Sequence, residues 1–317
     1  MRSRAALATA SACAAAMLGG LAVFVPGCVS PVPARPIHER IDLPSIAACG
    51  ACHQDAYEEW AQSLHHRAWT NDNVRAATDE FRKSECRPCH SPLPVLESGL
   101  DQPPSLRDFN HADGVHCLSC HGLADGVAAT RTIADAPCRP RFDARLSEAR
   151  LCWPCHEPTH QAFREYETSD AKALGVRCQD CHMQPRENRP GTSHGPHGGL
   201  NEEFVARALR WRARIEGGAV VVELENRCGH KFPGEIPSRS FVVRVDFPGH
   251  EPVRELLRRP HKGEDRADNR LLPDERRVLR FPFPAGASEA GVRLLFLPLP
   301  LLPEAASFVL GEWSGGR

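Results

Sequence analysis

The sequence predicts an α+β protein in two parts, a loop- and helix-rich part at residues 46–200 and an antiparallel β-sandwich at residues 201–317. Two observations lead to this prediction. Five copies of a C-x-x-C-H pentapeptide are crowded into the first part. The second part lacks the motif and contains runs in which apolar and polar residues alternate with a period of two. A length of 317 residues is compatible with two domains or one large domain.

The repeated pentapeptide is the attachment pattern of c-type haem. Two thiols separated by two residues can add to two vinyl groups on one edge of a porphyrin, and the next histidine then binds the iron as proximal ligand. The motif cysteines are Cys49, Cys52, Cys86, Cys89, Cys117, Cys120, Cys152, Cys155, Cys178 and Cys181, and the histidines are His53, His90, His121, His156 and His182. The sequence therefore predicts five covalently attached haem c groups as cofactors.

Structural zinc is the alternative for paired C-x-x-C elements. Such sites combine two half-sites into four ligands at a fairly regular separation. Here the number of motifs is odd, and every motif carries its own histidine directly after the second cysteine. Haem attachment explains this pattern better than zinc.

The first part has too little chain for an ordinary side-chain core. Only 149 residues separate Cys49 from His197 inclusively, about 30 for each predicted haem. We therefore expect the porphyrins themselves to form the core of this part, close enough together for electrons to pass between them.

The amino terminus is typical of an export signal. Arg2 and Arg4 precede an apolar run at residues 5–25, which ends near Cys28 in a stretch that resembles a bacterial lipoprotein box. An uncleaved membrane anchor is the alternative, because the run is only just long enough to span a bilayer. We predict a signal peptide at residues 1–28 with Cys28 as the acylated residue.

Four prolines at residues 29–45 predict an extended tether, for which plain disorder is the alternative. The mature protein is expected on the periplasmic side of a bacterial membrane, and Val29 slightly favours the outer membrane because it provides no obvious inner-membrane retention signal. The predicted partners are redox proteins and the membrane, the latter through the lipid on Cys28. A net charge of -1 from 39 basic and 40 acidic residues indicates no nucleic-acid partner.

Histidines outside the motifs could supply the second axial ligand of each iron. The five distal candidates are His65, His116, His160, His194 and His230. His65 borders the apolar face of a predicted helix at residues 55–69, where a core histidine is the alternative. His194 lies in a glycine-rich loop that could equally be a solvated linker.

Two of these candidates cannot serve the haem of their own motif. His116 directly precedes Cys117, on the attachment edge of the porphyrin. His160 lies four residues after His156 and would share its helix face. Each could bind a neighbouring iron or remain on the surface. After signal removal only Met183 could be a methionine ligand, and it adjoins the proximal His182, so mostly bis-histidine haems of low potential are expected.

The second part contains several strand patterns. Residues 209–215 alternate before a Gly217-Gly218 turn into residues 219–226, and further alternating runs follow. These later runs lie at residues 241–247, 279–283 and 292–296. The charged stretch at residues 254–280 is predicted to be a solvated loop or edge.

Several segments resemble multihaem cytochromes related to the tetrahaem carrier of ammonia oxidation. The segment at 49–68 is similar to their first-haem region, the segment at 114–122 to a middle haem, and the segment at 175–194 to the closing haem. Residues 226–239 resemble a module that follows the haems in many periplasmic members. The resemblance covers residues 46–245 and implies electron transfer, with His65 and His194 as distal ligands. It implies that His230 reaches a haem from the β part, where a structural hydrogen bond in a turn is the alternative.

The sequence favours an electron carrier over an enzyme. The alternative is a reductase or oxidase of a small nitrogen or sulfur compound at one open haem. The chain contains no C-x-x-C-K motif, and Tyr57 and Tyr166 are its only tyrosines. Cys138 and Cys228 lie outside the motifs and form either a disulfide between the two parts or two isolated thiols.

Overall fold

The computed structural model describes residues 46–158, 161–187, 190–236, 239–261, 263–299 and 302–317. The predicted signal peptide, the acylated Cys28, the tether and His160 lie outside the described residues.

Short helices dominate residues 46–206 of the described chain. They are α1 (Ala47–Gly50), α2 (Gln54–Ala61), α3 (Asp72–Ala77), α4 (Arg87–His90), α5 (Val95–Ser98), α6 (Cys117–His121), α7 (Trp153–His156), α8 (Ala162–Glu167), α9 (Asp170–Ala173), α10 (Cys178–His182) and α11 (Glu202–Ala206). Isolated helices this short are marginal in water, so tertiary contacts must stabilise them.

Helix α2 ends earlier than the sequence pattern indicates. The apolar periodicity predicts one helix to Trp69, but the regular helix stops at Ala61 and a 3₁₀ turn follows at His66–Ala68. A tertiary contact holds the turn at His65. The N–H of Val115 donates to the carbonyl oxygen of His65 at 2.9 Å, which fixes a non-helical turn there.

A small sheet interrupts the helical part. Its strands β1 (Gly122–Leu123), β2 (Gly126–Ala129) and β3 (Pro140–Phe142) lie in the order β1-β2-β3. The β1–β2 pair is antiparallel and the β2–β3 pair is parallel. The sequence pattern did not predict this sheet.

The remaining strands form two antiparallel sheets after residue 208. They are β4 (Leu209–Glu216), β5 (Ala219–Asn226), β6 (Ser240–Asp246), β7 (Val253–Arg258), β8 (Arg276–Pro282), β9 (Glu289–Leu297) and β10 (Phe308–Gly316). One sheet has the order β10-β9-β6-β7 and the other the order β4-β5-β8. Apolar residues of both sheets meet in one buried cluster, as expected for a sandwich.

The charged stretch at 254–280 is only partly a loop. It contains most of β7 and the start of β8, and both strands lie at the edge of their sheet. The prediction of a loop was therefore wrong for these segments, while the prediction of an edge agrees with their positions. Charged side chains on edge strands oppose pairing with another chain.

The helical part and the β part are in contact through α8. The N–H of Lys231 donates to Oε2 of Glu165 at 2.9 Å, and Arg270 donates to the other oxygen of that carboxylate at 3.2 Å. None of the described helices is long and apolar enough to cross a membrane.

Candidate haem sites

Each C-x-x-C-H motif forms a tight helical turn. In α4, α6, α7 and α10 the motif histidine is the last residue of the helix, while in the first motif His53 immediately precedes α2. Residues i, i+3 and i+4 share one face of a helix. The turn therefore brings both sulfurs and the imidazole to the same side, as attachment to one porphyrin requires.

Three motif histidines are oriented by backbone carbonyl groups. Nδ1 of His90 lies 2.7 Å from the carbonyl oxygen of Ala68, and Nδ1 of His121 lies 2.9 Å from that of Ala128. Nδ1 of His182 lies 2.7 Å from the carbonyl oxygen of His197. An Nδ1–H that donates to a carbonyl fixes the tautomer and leaves Nε2 as the ligating nitrogen.

Three distal candidates face motif histidines from remote parts of the chain. The ring centroids are 6.3 Å apart in the pairs His65–His156, His121–His194 and His182–His230. The interplanar angles differ, at 64°, 35° and 26°, so what the pairs share is the distance.

The shared distance fits one metal ion between two imidazoles. A metal–nitrogen bond of about 2 Å on each side, together with the radius of each ring, separates the two ring centres by about 6 Å. A direct ring stack would bring the centroids closer. Burial and the neighbouring His182 also lower the pKa of His230 to about 4, which keeps its imidazole neutral, as a ligand must be. These residues therefore fit bis-histidine haem iron.

A glycine allows the turn that carries His65. Gly114 has φ +58°, and a Cβ added there would lie 2.3 Å from the carbonyl oxygen of His65. The indole N–H of Trp60 donates to the carbonyl oxygen of Val115 at 2.8 Å and holds the same two segments together.

A partly buried ion pair holds the loop that carries His194. The carboxylate of Glu59 on α2 accepts the backbone N–H of His194 at 2.7 Å. Arg186 donates to the same carboxylate at 2.6 Å. Because of these contacts the pKa of Glu59 is lowered, although burial alone would raise it.

Asn226 at the end of β5 holds the loop that carries His230. Its side-chain N–H donates to the carbonyl oxygen of His230 at 2.9 Å and to that of Leu272 at 2.8 Å, and its Oδ1 accepts the N–H of Cys228. Asn226 is completely buried. Sequence reasoning identified the segment but not this role.

His116 makes the contacts of a helix cap. Its Nδ1 accepts the N–H of Ser119 at 3.2 Å, at the first turn of α6. An accepting Nδ1 leaves the proton on Nε2, and this tautomer does not suit iron binding through Nε2. The contacts of His116 thus differ from those of the three paired histidines.

Comparison with known proteins supports haem attachment. Residues 48–122 match the family model described as cytochrome c554 and c-prime. The fold is similar to the crystal structure of a penta-haem cytochrome c552 from Thermochromatium tepidum, with a TM-score of 0.69 and 18% sequence identity over 89% of this chain and 100% of that chain. A search of curated proteins found no match.

The five motifs and the family match over residues 48–122 point to a multihaem c-type cytochrome. The motif cysteines approach one another between motifs. A side-chain contact with Cys117 lowers the pKa of Cys49 to about 7, and a side-chain contact with Cys89 raises the pKa of Cys155. A third pair, Cys152 and Cys178, is arranged in the same way. If each motif carries a haem, these sulfurs would be thioethers, and the contacts would mark neighbouring attachment sites.

Cys138 and Cys228 are both free thiols. Burial raises the pKa of Cys228 to about 12, so its thiol is protonated at neutral pH. The interpretation as isolated thiols agrees with these observations.

Two arginine side chains have a buried nitrogen atom without a hydrogen-bond partner among the described residues. These atoms are Nη1 of Arg107 and Nε of Arg239. Burial lowers the pKa of Arg107 to about 10. The sequence singled out neither side chain for a role, although Arg239 ends the segment at residues 226–239 that resembles a module after the haems.

Proposed function

We propose that this cytochrome carries electrons between redox partner proteins through five haem c groups. Each haem is attached through the two cysteines of one motif, and the motif histidine is its proximal ligand. The single observation that supports the carrier function best is the set of three imidazole pairs with a common centroid distance of 6.3 Å.

The proposed axial pairs are His156 with His65, His121 with His194, and His182 with His230. Haem c supplies an iron that accepts and releases one electron. Two imidazoles fill both axial positions, so a substrate cannot bind to the iron without displacing a ligand. This ligand set favours electron transfer over catalysis at these three sites.

The contacts between motif cysteines support a continuous electron path. Cysteine side chains of the first motif lie close enough to those of the third to shift their pKa values, and the same holds for the second and fourth motifs and for the fourth and fifth. Cys120 of the third motif also acts electrostatically on Cys152 and Cys155 of the fourth. All five attachment edges therefore belong to one connected series.

The proposal includes the cellular placement and the domain division derived from the sequence. The mature chain is held by a lipid on Cys28 at the periplasmic side of a membrane, with the outer membrane favoured. Residues 29–45 are the tether, 46–200 the pentahaem domain and 201–317 the β-sandwich domain. The proposal also includes the relation to the tetrahaem carrier of ammonia oxidation that the resemblance of residues 46–245 implies.

Haem quantification and low-temperature electron paramagnetic resonance of the purified holoprotein test the proposal. We expect close to five haems per chain, with three or more in the low-spin bis-histidine state. Replacing His65, His194 or His230 singly with alanine should convert one haem from low spin to high spin, because each change empties one axial position.

His197→Ala is a matched control in the same loop as His194. Its side chain contacts Ser193, while the contact with His182 uses only the backbone carbonyl group. This variant should keep the wild-type spin states. Unchanged spin states in His194→Ala would disprove the assigned pair. A native high-spin fraction near one haem in five would instead favour the enzymatic alternative.

A further inference from the structure

Two buried arginines at the contact between the helical part and the β part differ in their partners. Arg270 is 4% exposed, and its guanidinium donates to the carboxylates of Asp268 and Glu165 and to the carbonyl oxygen of Gly234. All three of its nitrogens are therefore satisfied. Arg239 lies nearby, but its buried Nε has no partner among the described residues.

Arg239 lies against the segment that orients His182, one of the two proposed ligands of the fifth haem. A Cβ added to Gly199 would be 2.5 Å from the Cζ of Arg239, so the guanidinium lies against this glycine. Gly199 is two residues from His197, whose carbonyl oxygen orients His182. The charge of Arg239 also contributes to the lowered pKa of His230.

A buried guanidinium with an unsatisfied N–H is costly unless an anion compensates it. Glu235 is the acidic side chain whose charge acts on Arg239. Burial and the charge of Glu165 raise the pKa of Glu235 to about 8, so this carboxyl is mostly protonated at neutral pH. The net negative charge that Arg239 requires must therefore come from another group.

We infer that Arg239 binds a propionate carboxylate of the haem held by His182 and His230. This inference rests on the proposed function, because it requires a haem on the fifth motif. A haem carries two propionates, and a guanidinium fork matches a carboxylate in shape and charge. The close approach at Gly199 allows the guanidinium to reach the haem edge, since any side chain there would displace it.

Neutralising a propionate raises the reduction potential of its haem. Reduction adds one negative charge to the haem, and a nearby cation stabilises that state. Removal of the Arg239 charge should therefore lower the potential of one haem and leave the other four almost unchanged.

The test is a spectroelectrochemical titration of the holoprotein with Arg239→Gln, Arg239→Lys and the wild type. Arg239→Gln should reduce the equilibrium constant for reduction of one haem at least tenfold, which is 59 mV for a one-electron couple. Arg239→Lys should retain most of the wild-type potential because it keeps the charge. Arg276→Gln is the control, since Arg276 is 78% exposed on β8 and should shift no potential.

Unchanged potentials in Arg239→Gln, with haem content and low-spin signals as in the wild type, would overturn the inference while leaving the carrier function intact. If the fifth haem of the wild type shows no low-spin signal, that result would instead contradict the proposed pair of His182 and His230.

If the Arg239→Gln variant cannot be produced as a folded protein, a crystal structure of the wild-type holoprotein shows whether Arg239 binds a propionate. A guanidinium nitrogen within about 3.2 Å of a propionate oxygen supports the inference. A guanidinium that contacts only protein groups overturns it.

Discussion

The helical part and the β part bury their apolar residues in different ways. In the β part, 19 buried residues form one cluster between two sheets. In the helical part, the described residues form two small clusters, with four and three buried members. Side chains alone can stabilise the first arrangement, whereas the second depends on the haem groups that it is proposed to hold. On the proposed function, one chain combines a side-chain core with a cofactor core.

The largest expected effect comes from producing the chain without haem attachment. The helical part should then lose its protection against proteases, because short helices without a core are marginal. A resistant fragment covering about residues 201–317 should remain and can be identified by mass spectrometry. The haem-loaded chain is the control, and equal protection of residues 46–200 in both forms would contradict the comparison.

A core substitution in the β part should destabilise the β part and leave the haem groups unaffected. Phe241 is fully buried on β6, so Phe241→Ala should lower the free energy of unfolding by about 3–5 kcal/mol. Chemical denaturation followed by circular dichroism measures this loss, while the haem absorption bands at 25 °C should not change.

Val278→Ala is the control for this substitution. Val278 is 54% exposed on β8, and its loss should cost about 0.5 kcal/mol or less. A comparable destabilisation by both variants would mean that the described core does not determine the stability of the β part.

Asn226→Ala should affect both parts, because Asn226 lies in the β part and orients a proposed haem ligand. Loss of its buried hydrogen bonds should cost about 1–3 kcal/mol and convert one haem to high spin. Electron paramagnetic resonance measures the second effect.

Asn269→Ala is a matched control in the β part. Asn269 also bonds backbone groups, of Leu256 and Arg258, but it holds no proposed ligand loop. This variant should lose stability without a change of spin state. A spin change in both variants would indicate general loosening rather than a specific role of Asn226.

The smallest expected effect concerns pH at the contact between the two parts. Burial raises the pKa of Asp268, but hydrogen bonds and charges from Arg270 and Lys231 outweigh burial and lower it below its usual range. A lowered folded-state pKa contributes stability above the unfolded value of about 3.9, and this contribution is lost as the pH falls further.

Asp268→Asn should therefore remove part of the stability at pH 7 and little of it at the lowest accessible pH. Because Asp268 is partly exposed, we expect a loss of about 1 kcal/mol or less. Denaturation at a series of pH values measures the difference, and an equal loss throughout the acid range would contradict this role.

Local patterns could be predicted from the sequence, whereas long-range partners could not. The period-two run at residues 219–226 coincides with β5, because strand alternation is a local property. In contrast, β10 was missed, since Gly311, Gly315 and Gly316 interrupt its pattern. Pairing with β9 stabilises it as a strand.

The same distinction applies to the candidate sites. The C-x-x-C-H spacing matches one turn of a helix. The sequence therefore predicts that both sulfurs and the imidazole of a motif lie on the same face. The pairing of distal histidines with motifs depends on contacts between residues far apart in sequence. One example is the contact of Val115 with the turn at His65. The unsatisfied Nε of Arg239 becomes evident only when Gly199 and Gly234 lie against its side chain.

The separations within the three imidazole pairs have a consequence for the unfolded chain. The paired residues are 91, 73 and 48 positions apart. On the proposed ligation, each iron acts as a cross-link, and closing loops of this size removes chain entropy equivalent to about 4–5 kcal/mol each. Thiol reductants do not break these links. Secreted proteins commonly use disulfides for this purpose, whereas here metal coordination would do so without a disulfide bond.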